Sequence, residues 1–476
     1  MRKIKSVIAL ILCISALAAC TPQASIVLPE EDPVMTTEQP VAPMPPVDTE
    51  PAPTEPVQTE PAPTEPVVTE PITTEPAEPS VKPISATEQK TDYSDYTAAD
   101  SVNRLGFMLY DKLQSDDNVF FSPYSIDIAL SMLENGAKGN TKAELDELLS
   151  LSDSEKRNAE FSAIMNSFTD KRAVLQTANS VWVDKDFQNR TPVKEDFISV
   201  LKKYYEAEAE YADFKSPKTV DKVNSWISKK TNKMIPKMLK ELDDETVMLL
   251  INAVYFEGKW STPFEKDNTT DWTFAGTKGE ATVDMMRMFG KSYSYIEKDG
   301  LKGVSIPYGE GNIEMQVFVA KDNSKQNAVE IFNKMSEEEK SELISSLDKA
   351  GGEELSILAI PKFTFETETF SVRDILISLG VKDAFSEYDA NLTGIAELPP
   401  DRNLYVSDVL HKAKVEVDES GTKAAAATVI DIKCGAAPMP MKETKEFIAD
   451  EPFIFVIRDR TSGTILFLGT ISNLSK

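Results

Sequence analysis

The stretch Glu419-Ser-Gly-Thr-Lys-Ala-Ala-Ala-Ala-Thr428-Val-Ile-Asp-Ile-Lys-Cys434-Gly-Ala-Ala-Pro438-Met-Pro440 decides how this chain is read. Four consecutive alanines favour a helix, whereas the alternation along the segment favours a strand. Thr422, Ala424, Ala426, Thr428, Ile430 and Ile432 share one parity, which is small or aliphatic and uncharged. Lys423, Ala425, Ala427, Val429, Asp431 and Lys433 share the other, which carries every charge between Thr422 and Lys433. Successive side chains of a strand point to opposite faces, so the pattern predicts a segment able to enter a sheet with one buryable face. The same stretch also fits a surface loop with a short Ala-rich helix between Gly421 and Gly435. Pattern alone does not separate the two.

Working outward, His411, Ala413, Val415 and Val417 alternate with Lys412, Lys414, Glu416 and Asp418, the period of a half-buried strand. Gly421 supplies a backbone pivot that glycine adopts without a steric penalty. Pro438 and Pro440 cannot sit inside a central strand. A sheet strand is therefore expected to run out into a long exposed loop whose first half can itself become a strand.

Glu419 to Thr428 resembles the hinge of the reactive loop of serpins, conformationally trapped protease inhibitors. Phe447-Ile-Ala-Asp-Glu-Pro-Phe-Ile-Phe-Val-Ile457 resembles the family signature, with Glu451 where a basic or small polar residue is usual. The likeness extends over the chain from about residue 95. Asn118 to Thr141 is similar to the family's second helix and its lead-in, Val223 to Pro236 to the helix before a central strand, and Phe256-Glu-Gly-Lys-Trp260 to that strand's end. The chain thus looks like a bacterial, lipoprotein-type serpin.

The resemblance implies an α+β serpin fold, with about three β-sheets, eight or nine helices and an exposed reactive-centre loop at about residues 419–446. It places Glu419, Gly421, Thr422, Ala424, Ala426 and Thr428 in the hinge. Ser122, Pro123, Ser125, Asn252 and His411 fall in the shutter, a polar cluster beneath the sheet's centre, and Trp260 in the breach at its top. Counting seventeen residues from Glu419, the scissile bond joins Gly435 to Ala436, with Cys434 as the alternative acyl-side residue. Their small side chains imply an elastase-like or subtilisin-like target. Cleavage would release the loop to add to the sheet and trap the acyl-enzyme. Before cleavage Thr422 is expected near the loop's exposed base. Two alternatives stay open: inhibition of cysteine proteases by the same loop, and a non-inhibitory serpin acting as a binding protein.

The N-terminus reads separately. Arg2, Lys3 and Lys5 precede the apolar run Val7 to Leu17 and then Leu17-Ala-Ala-Cys20, a signal-peptide architecture over residues 1–19. That ending resembles the bacterial lipobox, in which Cys20 becomes lipid-bearing; a plain cleaved signal is the bland option. Residues 21–90 hold 17 of the chain's 29 prolines, no glycine or aromatic residue, and 13 acidic against two basic side chains. A ten-residue repeat runs from Thr49 to Gln58, again from Thr59 to Val68, and decays from Thr69. Such a composition buries no core and favours extended polyproline backbone. At ~3.1 Å per residue it spans on the order of 200 Å when fully extended. The expected organisation is a signal at 1–19, a disordered Pro/Thr/Glu-rich linker at 20–90 from lipidated Cys20, and a serpin domain at 91–476. The product is an exported lipoprotein, displayed outside the cytoplasm on a membrane or shed, and a monomer held to the membrane only by its lipid.

Within the domain, helical spacing runs from Ala98 to Leu113. A short strand precedes a helix capped at Ser122-Pro123. Strands are read at Thr177–Val183, with a buried Trp182, and at Val247–Phe256. Others fall at Val304–Ile306, Glu314–Ala320, Leu355–Ile360 and Thr464–Gly469. Helices are read at Pro192–Tyr205, Val329–Ser346 and Ser371–Leu379. This order of elements indicates a mixed α+β body with large antiparallel sheets.

Composition and motifs exclude several chemistries. The chain's net charge is −27, and the domain keeps −19 of it, the wrong sign for a nucleic-acid partner. Mature Cys434 is the lone free thiol beside a lipidated Cys20, so no intrachain disulfide forms. His411, the only histidine, lies on the apolar parity of a strand, where a hydrogen-bonded core role outweighs a catalytic triad. No zinc spacing or phosphate-binding glycine loop occurs, so neither metal nor cofactor is expected, and the chain is read as a protease inhibitor, not an enzyme.

Overall fold

The computed structural model describes residues 93–422 and 445–475, apart from residues 244, 323, 400 and 401. Helix α1 (Ala98–Leu113) spans the stretch its periodicity predicts. Thr97 and Asp100 close it with a capping box, and Val102, Leu105, Phe107 and Leu109 are buried. Strand β1 (Val119–Phe121) leads into α2 (Pro123–Glu134), whose first turn is closed by the Ser122 hydroxyl, with Pro123 at the first helical position.

Six strands form the sheet that receives the loop's base. They are β2 (Ala173–Asp184), β3 (Glu208–Ala212), β4 (Met248–Lys259), β6 (Phe363–Glu366), β7 (Lys414–Asp418) and β8 (Gly421–Thr422), in spatial order β6-β7-β8-β4-β2-β3. β2 and β4 pair antiparallel along their length, from Ala173 opposite Gly258 to Val183 opposite Met248. The apolar run in β4 is buried from Ile251 to Phe256 and half-buried at Met248, Leu249 and Leu250. β7 alternates as its sequence predicts, with Val415 and Val417 buried.

A ten-stranded sheet packs against this one; it contains β5 (Leu301–Tyr308) and β9 (Ile465–Ile471), and β1 pairs with β9 at its end. A two-stranded ribbon joins Phe370–Ser371 to Leu410–His411. The three sheets agree with expectation. Ten α-helices lie among the described residues, close to the eight or nine implied. Part of the surplus comes from Val329–Ser346, which forms two helices, Ala328–Phe332 and Glu337–Ser346, because Ser336 and Glu339 make a capping box that starts the chain afresh.

α3 (Glu195–Tyr205) buries Phe197, Ile198 and Leu201, and α4 (Pro217–Lys230) packs Val223 and Ile227 with Trp182 and Ile251 in a separate small core.

Candidate functional site

The site is the turn from β7 into β8. The chain reverses in two residues, Glu419 and Ser420, between the paired Asp418 and Gly421. Asp418 Oδ1 accepts hydrogen bonds from Ser420 N (2.7 Å) and Gly421 N (3.2 Å), which sets the reversal. Gly421 adopts φ +147°, and a Cβ there would lie 2.0 Å from the Gly258 carbonyl oxygen and 2.7 Å from Lys259 Cα. Only glycine fits. Its partner Gly258 is equally constrained, since a Cβ would lie 2.5 Å from the Phe256 ring and 2.7 Å from that of Tyr308.

Thr422 is paired on both sides, with Val417 of β7 and Gly258 of β4, and is only 2% exposed. Its hydroxyl lies 2.6 Å from that of Tyr308. Burial raises the Tyr308 phenol far above its ordinary value, so it stays neutral and hydrogen-bonding. The Tyr308 ring stacks on Trp260 at 4.3 Å and 12°. Trp260 Nε1 donates to Asp418 O (2.9 Å), and Trp260 N donates to Ser420 O (2.9 Å). Phe264 N donates to Glu419 O (2.9 Å). The Glu419 carboxylate accepts from Thr269 Oγ1 (2.9 Å) and pairs with Lys362 Nζ at 3.2 Å. Burial pushes this carboxyl's pKa up, but a backbone amide, the Thr269 hydroxyl and the Lys362 ammonium together bring it below the usual range.

The expectation that Thr422 sits at the loop's exposed base is therefore corrected. The two-residue turn returns the chain into the sheet at once, because the Asp418 side chain closes it and Gly258 leaves room for Gly421.

Among the described residues, β8 is the sole link between β7 and β4: no backbone pair joins those two strands directly. Beneath Thr422, the facing edges of Met248–Glu257 and Lys414–Glu416 carry no mutual ladder.

Deeper in the molecule the structure brings Ser122, Ser125, Asn252 and His411 together, all of them buried. His411 Nε2 accepts from Ser122 N (3.1 Å), and Ser122 Oγ donates to Leu466 O (2.7 Å) while accepting from Ser125 N (3.1 Å). Ser125 Oγ donates to Asn252 Oδ1, and Asn252 Nδ2 donates to Asn179 Oδ1 (2.7 Å). Asn179 Nδ2 reaches the carbonyl of Tyr205 at the end of α3 (2.6 Å). The chain of bonds ties α2, β4, β2 and α3 to His411. Burial lowers the His411 pKa from 6.5 to about 4, so it is a neutral acceptor at neutral pH. Its ring meets Phe370 edge-on at 5.6 Å. No group of three or more His, Cys, Asp or Glu able to hold a metal occurs among the described residues.

Tyr308, Gly258, Lys362, Thr269 and Asn179 complete these two clusters and do not emerge from sequence reading. Gly258 lies inside the quoted Phe256–Trp260 stretch, and that is the one available signal. Ala424, Ala426, Thr428, Cys434, Gly435, Ala436 and Cys20 lie outside the described residues.

The family model described as Serpin (serine protease inhibitor) matches residues 100–474. An uncharacterised serpin-like protein of Thermococcus kodakarensis is 34% identical over 380 residues, 78% of this chain and 85% of that protein. Neuroserpin of Homo sapiens is 32% identical over 392 residues, 78% of this chain and 90% of its own. Among solved structures, the thermophilic serpin tengpin in its native state has a TM-score of 0.69 at 31% identity, covering 80% of this chain and 94% of that one. Tengpin in its latent state has a TM-score of 0.66 at 30% identity, covering 79% and 97%. The chain belongs to the serpin family, and its general function is that of a protease inhibitor, not an enzyme.

Proposed function

We propose that this protein is an irreversible suicide-substrate inhibitor of serine proteases of elastase-like or subtilisin-like preference. A protease cleaving between Gly435 and Ala436, or after Cys434, becomes acyl-linked to the loop. The released segment from Thr422 onward then adds as a strand between β7 and β4 and carries the protease with it before deacylation.

The observation that carries this reading is the double pairing of Thr422 with Val417 and Gly258. The first inserting residue is already in register, and the strand edges below it have no mutual ladder among the described residues. At roughly 1 kcal/mol net per backbone hydrogen bond, a dozen new pairs contribute on the order of 10 kcal/mol, before burial of Ile430 and Ile432. The intact form is then protected by a barrier rather than by equilibrium. A binding-protein role fits less well, because the inserting parity of Thr422, Ala424, Ala426 and Thr428 carries no charge or bulky group.

Incubation with serine and cysteine proteases, resolved on a denaturing gel, tests the reading. The expected product is a one-to-one covalent complex with an elastase-like or subtilisin-like enzyme. Cleaved chain alone, with protease activity undiminished, makes the protein a substrate.

For the N-terminus we propose that residues 1–19 are a signal, that Cys20 carries the lipid, and that residues 20–90 are a spacer. The inhibitory domain at 91–476 then works as a monomer on the outer face of a bacterial membrane or after shedding.

A further inference from the structure

Thr422 stands opposite Val417 of β7 and opposite Gly258 of β4, antiparallel to both. One residue further along the same two ladders, the facing positions are Glu416 and Glu257. Directly opposed residues of an antiparallel ladder share a face, and Val415, Val417 and Phe256 occupy the buried one. Glu416 and Glu257 are half-buried and belong to the outer face, on the two sides of the slot between β7 and β4 below Thr422.

The Glu416 carboxylate pairs with Lys414 at 2.8 Å, and Lys414 is shared with Glu366 at 3.5 Å. Glu257 accepts from the Tyr255 hydroxyl and has no ion-pair partner among the described residues. Burial raises the Tyr255 phenol above its ordinary value; the hydrogen bond to Glu257 raises it further, and the Glu416 charge adds to the rise. One tyrosine thus feels both carboxylates, which places two like charges at one level of the slot. Like charges across a sheet are destabilising, and a cation between them is the complement.

We propose that Glu257 and Glu416 are positioning residues for strand insertion, receiving the Lys423 ammonium as the first outward side chain of the entering strand. The inference rests on the insertion proposed above. Lys423 lies outside the described residues, and its level here is the continuation of the Thr422 register. The neighbouring positions fit the same register. Ala424 falls on the buried face opposite Val415 and Phe256, and Ala425 falls on the outer face opposite Lys414 and Tyr255. The segment therefore carries its cation where the slot is anionic and no charge where the slot offers a lysine. Lys423 enters directly after Thr422, so the contact forms before the race between insertion and deacylation is decided.

Charge exchange between residues 257 and 423 in the full chain tests this, with pancreatic elastase and subtilisin as the proteases. The first readout is the ratio of covalent complex to cleaved chain on a denaturing gel. Lys423→Glu should lower it roughly tenfold and Glu257→Lys roughly threefold, since the first reverses two contacts and the second one. The double variant should also lose only roughly threefold, whereas independent effects multiply to about thirtyfold. Added salt should narrow these differences. Should Glu257→Lys fail to fold, Glu257→Gln takes its place, and Lys423→Glu should then cost roughly threefold in that background instead of tenfold. The second readout is the unfolding temperature of chain cleaved in its loop, which should follow the same order. Losses that multiply in the double variant, or a Lys423→Glu chain that traps as well as wild type, overturn the inference and leave inhibition standing. Cleaved wild type that unfolds no higher than the intact protein overturns both. Cleaved wild type that gains stability without trapping either protease overturns inhibition alone. The unfolding temperatures then decide the exchange: a double variant no worse than Glu257→Lys supports it, and an additive loss overturns it.

Discussion

The hydroxyl of Thr422 is hydrogen-bonded to that of Tyr308 at 2.6 Å, and the Tyr308 ring lies flat on Trp260. One contact thus joins the first residue of the loop strand to the aromatic pair that holds the preceding turn. Tyr308→Phe keeps the ring stack and leaves the buried Thr422 hydroxyl unpaired, a loss of about 1–3 kcal/mol. The urea midpoint of the intact protein should fall accordingly. An unchanged midpoint would show that the bond adds nothing to the hinge.

Gly421→Ala places a methyl group 2.0 Å from the Gly258 oxygen at φ +147°. Strand β8 cannot form around it. The variant should fold and be cut in its loop, yet trap a much smaller fraction of protease than wild type, read as complex against cleaved chain on a denaturing gel. Trapping at the wild-type level would separate β8 from the inhibitory step.

Thr422→Arg now carries two expectations. Thr422 is already buried in the intact protein, so arginine must expel β8 or bury an unpaired charge at several kcal/mol. Lower stability before cleavage and substrate behaviour after it should appear together. Lys423→Arg, on the opposite parity of the sequence, should inhibit nearly as wild type does. If both variants trap protease equally, the parity argument fails.

His411 titrates at about 4 in the folded protein against an ordinary value of 6.5. Its folded pKa is the lower one, so the unfolded chain binds the extra proton. The stability this burial confers is complete above pH 6.5 and lost as pH falls toward 4, on the order of 3 kcal/mol in all. Glu419 adds a separate acid loss at lower pH, because its carboxyl also titrates below its ordinary value. Denaturant midpoints between pH 7 and 4.5 should drop in wild type and stay flatter in His411→Asn. Parallel curves for the two would remove His411 as the source.

The proposed anchor has its own test. Fatty-acid labelling in cells should mark wild type and leave Cys20→Ala unlabelled, and equal labelling of both would eliminate lipidation at this residue.

Much of the fold was legible locally. The span of α1, the Ser122-Pro123 start of α2 and the alternation of β7 follow from caps and periods within a dozen residues. Strands Thr270–Gly276 and Gly279–Met288 are hard to read from sequence, because the first is mostly exposed, with only Trp272 and Phe274 marking its inward parity, and a two-residue turn joins them. The hinge was readable as a word: Gly421 as pivot and Thr422 as the head of an uncharged parity. Its position was not. Whether Thr422 is exposed or buried depends on Gly258, Tyr308 and Trp260, which are more than a hundred residues away in sequence, and no short-range pattern encodes a contact at that separation. Lys362 opposite Glu419 and Asn179 opposite Asn252 are closer in sequence, yet still far beyond the reach of a local period. Sequence by itself determined which segments could become strands and which residues could tolerate burial, because period and side-chain size are local properties. Only the tertiary structure decided which strand edges face each other and which hydroxyl meets Thr422, because those depend on how distant segments pack.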